Sequence, residues 1–452
     1  MKRLLLFALP TFAAFGSLLP GIGAVFGFRL LVIFLGLLAF VTSKPPTKGI
    51  ATVFAFRVTA VAWTATGLIW SFFVSDSDAG QRALLSLTIG LFLVYAFINA
   101  RNPAEVLESI QRGWVGAYVI TGALAFREFV TGTHMANYLP SSDLTVARAS
   151  RLVASVFGNP NAYAAFLVTT FAFLAYGLLK SQAWYARCMY IAMILALLVL
   201  LLATGSRSCL IAVAVEVVFF AVYAGQDYRK PLAVGVSLVA LVLFAVGAGA
   251  ADSITSRLPG KLATVAPSQI VQEVLGGEAE TSGSRRLAVY LDGLWMVGDS
   301  AGLGVGPGAF QTVMSSGRPP HDAGGVVDPH NLYLEIAAQY GLLVFGSFLL
   351  WILVSVRALW RAARTGTGGA LIWGVVMCGA IAGNAISALA SSSFLPGAVN
   401  WVFLASLSLA AAAVERQANA REPSPATAGS GTARAYRQLR IDWPGGIGAR
   451  LT

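Results

Sequence analysis

Apolar runs of about 20 residues recur along most of the chain, separated by short polar segments. They fall near residues 4–20, 26–42, 50–74, 82–99, 113–130, 160–179, 188–203, 209–224, 232–250, 331–356, 371–390 and 395–414. A hydrocarbon layer about 30 Å thick is crossed by about 20 helical residues, so each run reads as a transmembrane helix. The expected fold is an all-α polytopic membrane protein of about twelve spans. Residues 1–250 carry spans one to nine, 251–330 form one long polar loop, and 331–414 carry the last three spans. Residues 415–452, rich in Arg, Pro, Gly, Ser and Ala, read as a disordered tail. The opening Met1-Lys2-Arg3 and the apolar run to Leu19 mimic a signal peptide, but further spans follow and no clean cleavage site stands out. An uncleaved first helix is expected.

The pattern changes character between Ser284 and Phe345. Leu287–Val297 has apolar residues at helical spacing, with Asp292 on another face, and reads as an amphipathic helix lying on the membrane surface. A glycine-rich turn follows at Gly302–Gly308, then Asp328-Pro329-His330-Asn331 at the entrance of an apolar helix.

Composition agrees with the membrane reading: 57% of the 452 residues are hydrophobic and 11% charged, against roughly 25% charged in soluble domains. A net charge of +11 would suggest nucleic acid in a soluble protein; here the positions of the charges argue against that partner. With Lys2 and Arg3 inside, the inside loops carry Lys44 and Lys48, Arg101 and Arg112, Lys180 and Arg187, Arg229 and Lys230, and Arg357, Arg361 and Arg364. Arg416 and Arg421 follow the last span. This is the bias that orients membrane helices, and it places both termini in the cytoplasm. The same register puts Arg207, Arg285, Arg286 and His330 outside, against the topology signal, so another reason keeps them there. Arg29 and Arg57 fall inside spans and either snorkel or face a polar interior. Cys188, Cys209 and Cys378 lie in or beside apolar runs without metal-ligand spacing and read as packing residues.

The outer polar residues offer a limited chemistry. His330 reads either as a structural residue at a helix entrance, with Asn331 as the cap, or as a general acid or base. Arg207, in the turn Thr204-Gly205-Ser206-Arg207-Ser208, reads either as an interfacial arginine or as a bidentate phosphate clamp. Arg285 and Arg286 invite the same reading, and several arginines at one site suit a diphosphate leaving group. The turn at 302–308 lacks the Gly-Lys-Ser/Thr ending of a nucleotide loop and reads as a sharp return of the chain. Outside loops hold no His/Cys cluster, and a carboxylate-held divalent metal has no obvious home there. Neither a metal nor another cofactor is expected.

Taken together, these motifs resemble the O-antigen ligase/polymerase superfamily. They are Phe157-Gly158-Asn159-Pro160-Asn161, TGSRS around Arg207, Arg286 with Tyr290 and GLGVGPGAF, and His330-Asn331-Leu332-Tyr333-Leu334 before Gly341. Val344 stands where the family often carries a small or aromatic residue. The resemblance implies a membrane glycosyltransferase of the GT-C type, metal-independent and inverting. It would act on the periplasmic face of a bacterial inner membrane in lipopolysaccharide biosynthesis. Its donor would be an O-antigen linked to undecaprenyl diphosphate, and its acceptor the lipid A-core oligosaccharide. By the same resemblance His330 would activate the acceptor hydroxyl, Arg207 and Arg286, with Arg285 beside them, would bind the diphosphate, and Asn331, Tyr290 and Asn161 would support the site. A polymerase of the same superfamily is the nearest rival. A lipid-linked glycan flippase is the rival from another class.

Overall fold

The computed structural model describes residues 2–19, 21–22, 25–42, 49–73, 76–138, 152–223, 279–389 and 393–420. Within them the chain is helical apart from a two-residue hairpin, β1 (Gly21–Ile22) and β2 (Val25–Phe26). The helices are α1 (Lys2–Phe15), α2 (Gly27–Thr42), α3 (Ala51–Ser71), α4 (Ser77–Ile98), α5 (Pro103–Thr131), α6 (Pro160–Lys180) and α7 (Trp184–Ala203). They continue as α8 (Arg207–Tyr223), α9 (Ala279–Asp299), α10 (Ala309–Ser315), α11 (Leu332–Thr365), α12 (Gly369–Ser387) and α13 (Ala398–Asn419). Seven of them, α3, α4, α6, α7, α11, α12 and α13, are long and apolar enough to cross a membrane. The protein is a helical, multi-pass membrane protein.

Each expected span except the ninth meets a helix, although not each of those helices has the length or apolarity of a crossing. The ninth, at 232–250, lies outside the described residues, as do the first part of the long loop and the chain beyond residue 420. The last helix runs on to Asn419, past the residue 415 at which the tail was expected to begin.

Buried tryptophans knit the bundle. Trp63 of α3 meets Tyr340 and Phe348 of α11 edge-on, with ring centroids 5.6 and 5.8 Å apart, and Trp401 of α13 at 5.9 Å. Such pairs add about 0.5–1.5 kcal/mol each beyond the area they bury. The two arginines inside spans part company. Arg29 is buried, donating to Ser86 Oγ at 2.7 Å and lying over the Phe26 ring, whereas Arg57 is exposed. Cys209 and Cys378 are buried as packing residues, but Cys188 is exposed.

The bundle has two chemically different ends. At one end Arg3 pairs with Glu105, Lys180 with Glu108, and Arg416 reaches the carbonyl of Ile98. The other end holds α9, α10, the turn at 302–308, His330 and the tops of α6, α8 and α12.

Helix α11 is not the single smooth span that its apolar run suggests. At Gly341 the backbone leaves the helix (φ 84°, ψ 172°), so a short segment, 332–340, precedes the long one. The break frees backbone groups that a bilayer would not satisfy. The glycine-rich turn satisfies them: Leu342 N donates to Gly302 O at 2.8 Å, Val305 N to Ala338 O at 2.8 Å and Gly306 N to Gln339 O at 2.9 Å. The buried side chain of Gln339 accepts from Gly308 N at 2.6 Å, and Trp70 Nε1 donates to Leu303 O at 3.0 Å. The turn is therefore more than a return of the chain, because its glycines let one backbone lie against another.

Helix α9 also differs from expectation. Its buried stripe is Val289, Asp292, Gly293 and Met296, so Asp292 sits on the packed face rather than apart from it. The open face carries Leu287, Leu291 and Leu294, which are 57%, 40% and 60% exposed. An uncovered row of leucines beside membrane helices suits contact with lipid.

Candidate active site

His330 and Asn331 form the entrance to α11. Asn331 is extended (φ −160°) and its Oδ1 accepts from Tyr333 N at 2.9 Å and Leu334 N at 3.2 Å, which caps the helix as its residue type suggests. Its own carbonyl accepts from Glu335 N at 2.8 Å. The Glu335 side chain does not return to the cap; it accepts from Ser393 Oγ and from Phe394 N at 2.8 Å, fixing the segment between α12 and α13. Thus Asn331 does the capping and His330 is left for another role.

The backbone of His330 is left-handed, with φ +46°. That conformation costs a non-glycine residue roughly 1–2 kcal/mol and persists only where surrounding contacts impose it. Tyr290 of α9 supplies one: its hydroxyl lies 3.3 Å from the His330 carbonyl and 3.2 Å from that of Leu389. A single donor thus ties α9 to the entrance of α11 and the end of α12. Burial pushes the Tyr290 hydroxyl above its ordinary value, and the positive charge of Arg286 pulls it back. The hydroxyl therefore stays protonated and able to donate at neutral pH. The four-residue spacing puts Arg286 on the same side of α9 as Tyr290.

Arg207 reaches this end of the bundle by helix register. A Cβ added at Gly379 would lie 2.3 Å from Phe220, and one added at Gly383 would lie 2.2 Å from Glu216. Helices α8 and α12 therefore run antiparallel in close contact, matched four residues for four. Continuing that register brings Ile211 and Leu210, one turn beyond Arg207, to the level of Ala388 and Leu389. Leu332 N donates to Ala388 O at 3.1 Å, so the level is also that of His330. Arg207 is exposed, while His330, Arg285, Arg286 and Tyr290 are half-buried.

Arg285 takes a different direction from Arg286. A Cβ on Gly324 would fall 2.7 Å from Arg285 Nε, which places this guanidinium across the loop between α10 and α11. The adjacent arginines thus serve different faces of α9. Asn161 lies in the first turn of α6, but the cap is Asn159, whose side chain accepts from Ala162 N at 2.8 Å, with Pro160 next to it.

One supporting residue escaped the sequence reading. Glu128, near the end of α5, is buried, and one carboxylate oxygen accepts from Ala154 N at 3.1 Å and Ser155 N at 2.6 Å while the other meets His134 Nδ1. Ser155 has a left-handed backbone (φ +53°), and Val153 N donates to Ala203 O at 3.1 Å beside the turn that carries Arg207. Glu128 therefore pins the loop that leads to the Asn159 cap and lies beside the Arg207 turn. The only sequence signal was an acidic residue near the end of an apolar run. Glu128→Ala would leave two buried N–H groups unpaired at about 1–3 kcal/mol each. The protein is expected to lose several degrees in thermal denaturation midpoint in detergent, and an unchanged midpoint would dismiss this role.

Among the described residues no group of three or more His, Cys, Asp or Glu is placed to hold a metal ion. The side chains gathered here suit anion binding by guanidinium and proton transfer by imidazole.

Residues 191–349 match the family model described as O-antigen ligase. Over 385 residues the chain is 24% identical to the teichuronic acid biosynthesis protein TuaE of Bacillus subtilis (strain 168), covering 83% of this chain and 74% of that protein. The family match takes in the Arg207 turn, α9, the interlocked glycine turn and His330 as one stretch, and over that stretch the chain is similar to the O-antigen ligase family.

Proposed function

We propose that the protein is an O-antigen ligase, a membrane glycosyltransferase that transfers a glycan from undecaprenyl diphosphate to the lipid A-core oligosaccharide. The observation that carries the reading is the strained backbone of His330, held by Tyr290 at the end of the bundle reached by Arg286 and Arg207. His330 accepts the proton of the acceptor hydroxyl as that oxygen attacks the anomeric carbon. Arg207 and Arg286 stabilise the departing diphosphate, whose charge grows in the transition state. A single displacement inverts the anomeric configuration and needs neither metal nor covalent intermediate. Basic residues at the opposite end of the bundle support, by the positive-inside rule, a cytoplasmic side there and a periplasmic His330 end in a bacterial inner membrane.

The relative from Bacillus subtilis is named for teichuronic acid biosynthesis rather than for an O-antigen. That name favours a second reading, polymerisation of a lipid-linked glycan by the same chemistry. Purified protein supplied with an undecaprenyl-diphosphate glycan and two acceptors, lipid A-core and a lipid-linked repeat unit, separates them by which product forms. Transfer to neither would overturn both.

For Arg207→Lys we expect transfer to fall by about tenfold to a hundredfold. Lysine keeps the charge but loses the forked contact, worth about 1.5–3 kcal/mol for hydrogen bonds to a charged group. Turnover equal to the parent would reduce Arg207 to a membrane-interface residue.

A further inference from the structure

A second polar cluster lies on the other side of α9 from Tyr290. Asp292 is fully buried (0% exposed) in a small apolar core with Val289, Met296, Phe310 and Ala323. Its Oδ1 accepts from the backbone N of His321 at 3.1 Å and from His321 Nδ1 at 2.7 Å. Its Oδ2 is buried and has no hydrogen-bond partner among the described residues. The His321 side chain is 42% exposed, and Arg285 lies across Gly324, three residues further along the same loop.

This arrangement fixes the imidazole. A carboxylate accepting at Nδ1 holds that nitrogen in its N–H form and leaves Nε2 as the ring's remaining polar atom, on a partly open side chain. Burying a carboxylate with one oxygen unpaired is costly, and a loop held only for stability would be served as well by apolar contacts. At about 100° per residue, Arg286 and Tyr290 share one face of α9, while Arg285, Val289, Asp292 and Met296 share another. One helix thus separates the His330 cluster from the His321 cluster, with an arginine for each.

We propose that His321 is a second functional histidine, which binds a glycan hydroxyl through Nε2, with Asp292 as its positioning residue. The proposal rests on the transferase reading for the identity of the ligand as a glycan. The hydroxyl belongs to the donor sugar or to the acceptor sugar, and the experiment distinguishes these sources. His321 recognises the sugar and takes no part in the proton transfer assigned to His330.

The chain contains three histidines, so imidazole nitrogen signals of histidine-labelled protein in detergent can be assigned by substitution. His321 is expected to carry a proton at Nδ1, directed at Asp292. Its Nε2 signal is expected to shift on titration with one of two soluble oligosaccharides, delipidated core or delipidated repeat unit; the one that moves it names the source. His321→Asn is the matched variant, because the asparagine amide can still donate to Asp292 while the Nε2 position is lost. It is expected to raise KM for that substrate about tenfold, the loss of one hydrogen bond, with kcat within about twofold. An Nε2-protonated tautomer, an Nε2 signal indifferent to both oligosaccharides, an unchanged KM, or a fall in kcat with KM unchanged would each overturn the proposal. Protein that binds an oligosaccharide at His321 yet transfers nothing would overturn the transferase reading and leave the His321 subsite standing. Transfer-competent protein whose His321 ignores both would do the reverse.

Discussion

Replacing His330 with alanine is expected to lower glycan transfer by about two to four orders of magnitude, the usual contribution of a positioned general base. Membrane insertion should be unaffected, because the cap of α11 belongs to Asn331, whose side chain holds Tyr333 N and Leu334 N. Alanine alone leaves a doubt, since the left-handed backbone at φ +46° also strains alanine. His330→Asn removes that doubt. Asparagine adopts the left-handed region more readily than most residues, so the backbone stays in place and only the imidazole is lost. Both variants should be equally inactive with an undecaprenyl-diphosphate glycan as donor. Normal transfer by either would end the catalytic assignment, and recovery in asparagine alone would reassign His330 to a conformational role.

How much of this was legible in the residues depends on what kind of signal each feature leaves. Spans are legible because each is a long apolar run, and the described helices fall where those runs lie. The packed face of a helix in such a run is less so: in α9 leucines that face outward and a Val–Met pair that faces inward look alike, and Asp292 was assigned to the wrong side. His330 and Asn331 stood out as polar residues at an apolar boundary. The division of labour between them needed the observed cap. Arg286 was separable from Arg285 by its spacing to Tyr290, and the structure gives Arg285 a different neighbour in Gly324. Glu128, Gln339 and the pair Asp292–His321 act through partners 26 to 31 residues away: Ala154 and Ser155 for Glu128, Gly308 for Gln339 and His321 for Asp292. Contacts of that range leave no periodic trace in a single chain.

Gly341→Ala is expected to be the most damaging substitution away from the polar residues. The resemblance to the O-antigen ligase/polymerase superfamily included this glycine, but its physical reason is the backbone interlock. At φ 84° and ψ 172° the residue occupies a region essentially reserved for glycine, at a cost of about 1–3 kcal/mol for another residue. A Cβ there would also lie 2.6 Å from the carbonyl oxygens of both Gly302 and Leu303, which are backbone atoms and cannot rotate away. Overpacking adds about 1–3 kcal/mol more. Relief requires the turn at 302–308 to part from α11, which removes the acceptor of Leu342 N and the donors to Ala338 O and Gln339 O. The short segment 332–340 would then lose its hold, and with it the placement of His330. Gly304→Ala attacks the interlock from the other side, where a Cβ would lie 2.7 Å from Gln339 O and Gly341 N. Each variant should lose transfer and denature well below the parent in detergent. The two together should cost little more than either alone, because both break one contact. Additive losses, or a Gly341→Ala protein with the parent's midpoint and turnover, would show that the kink stands without the turn.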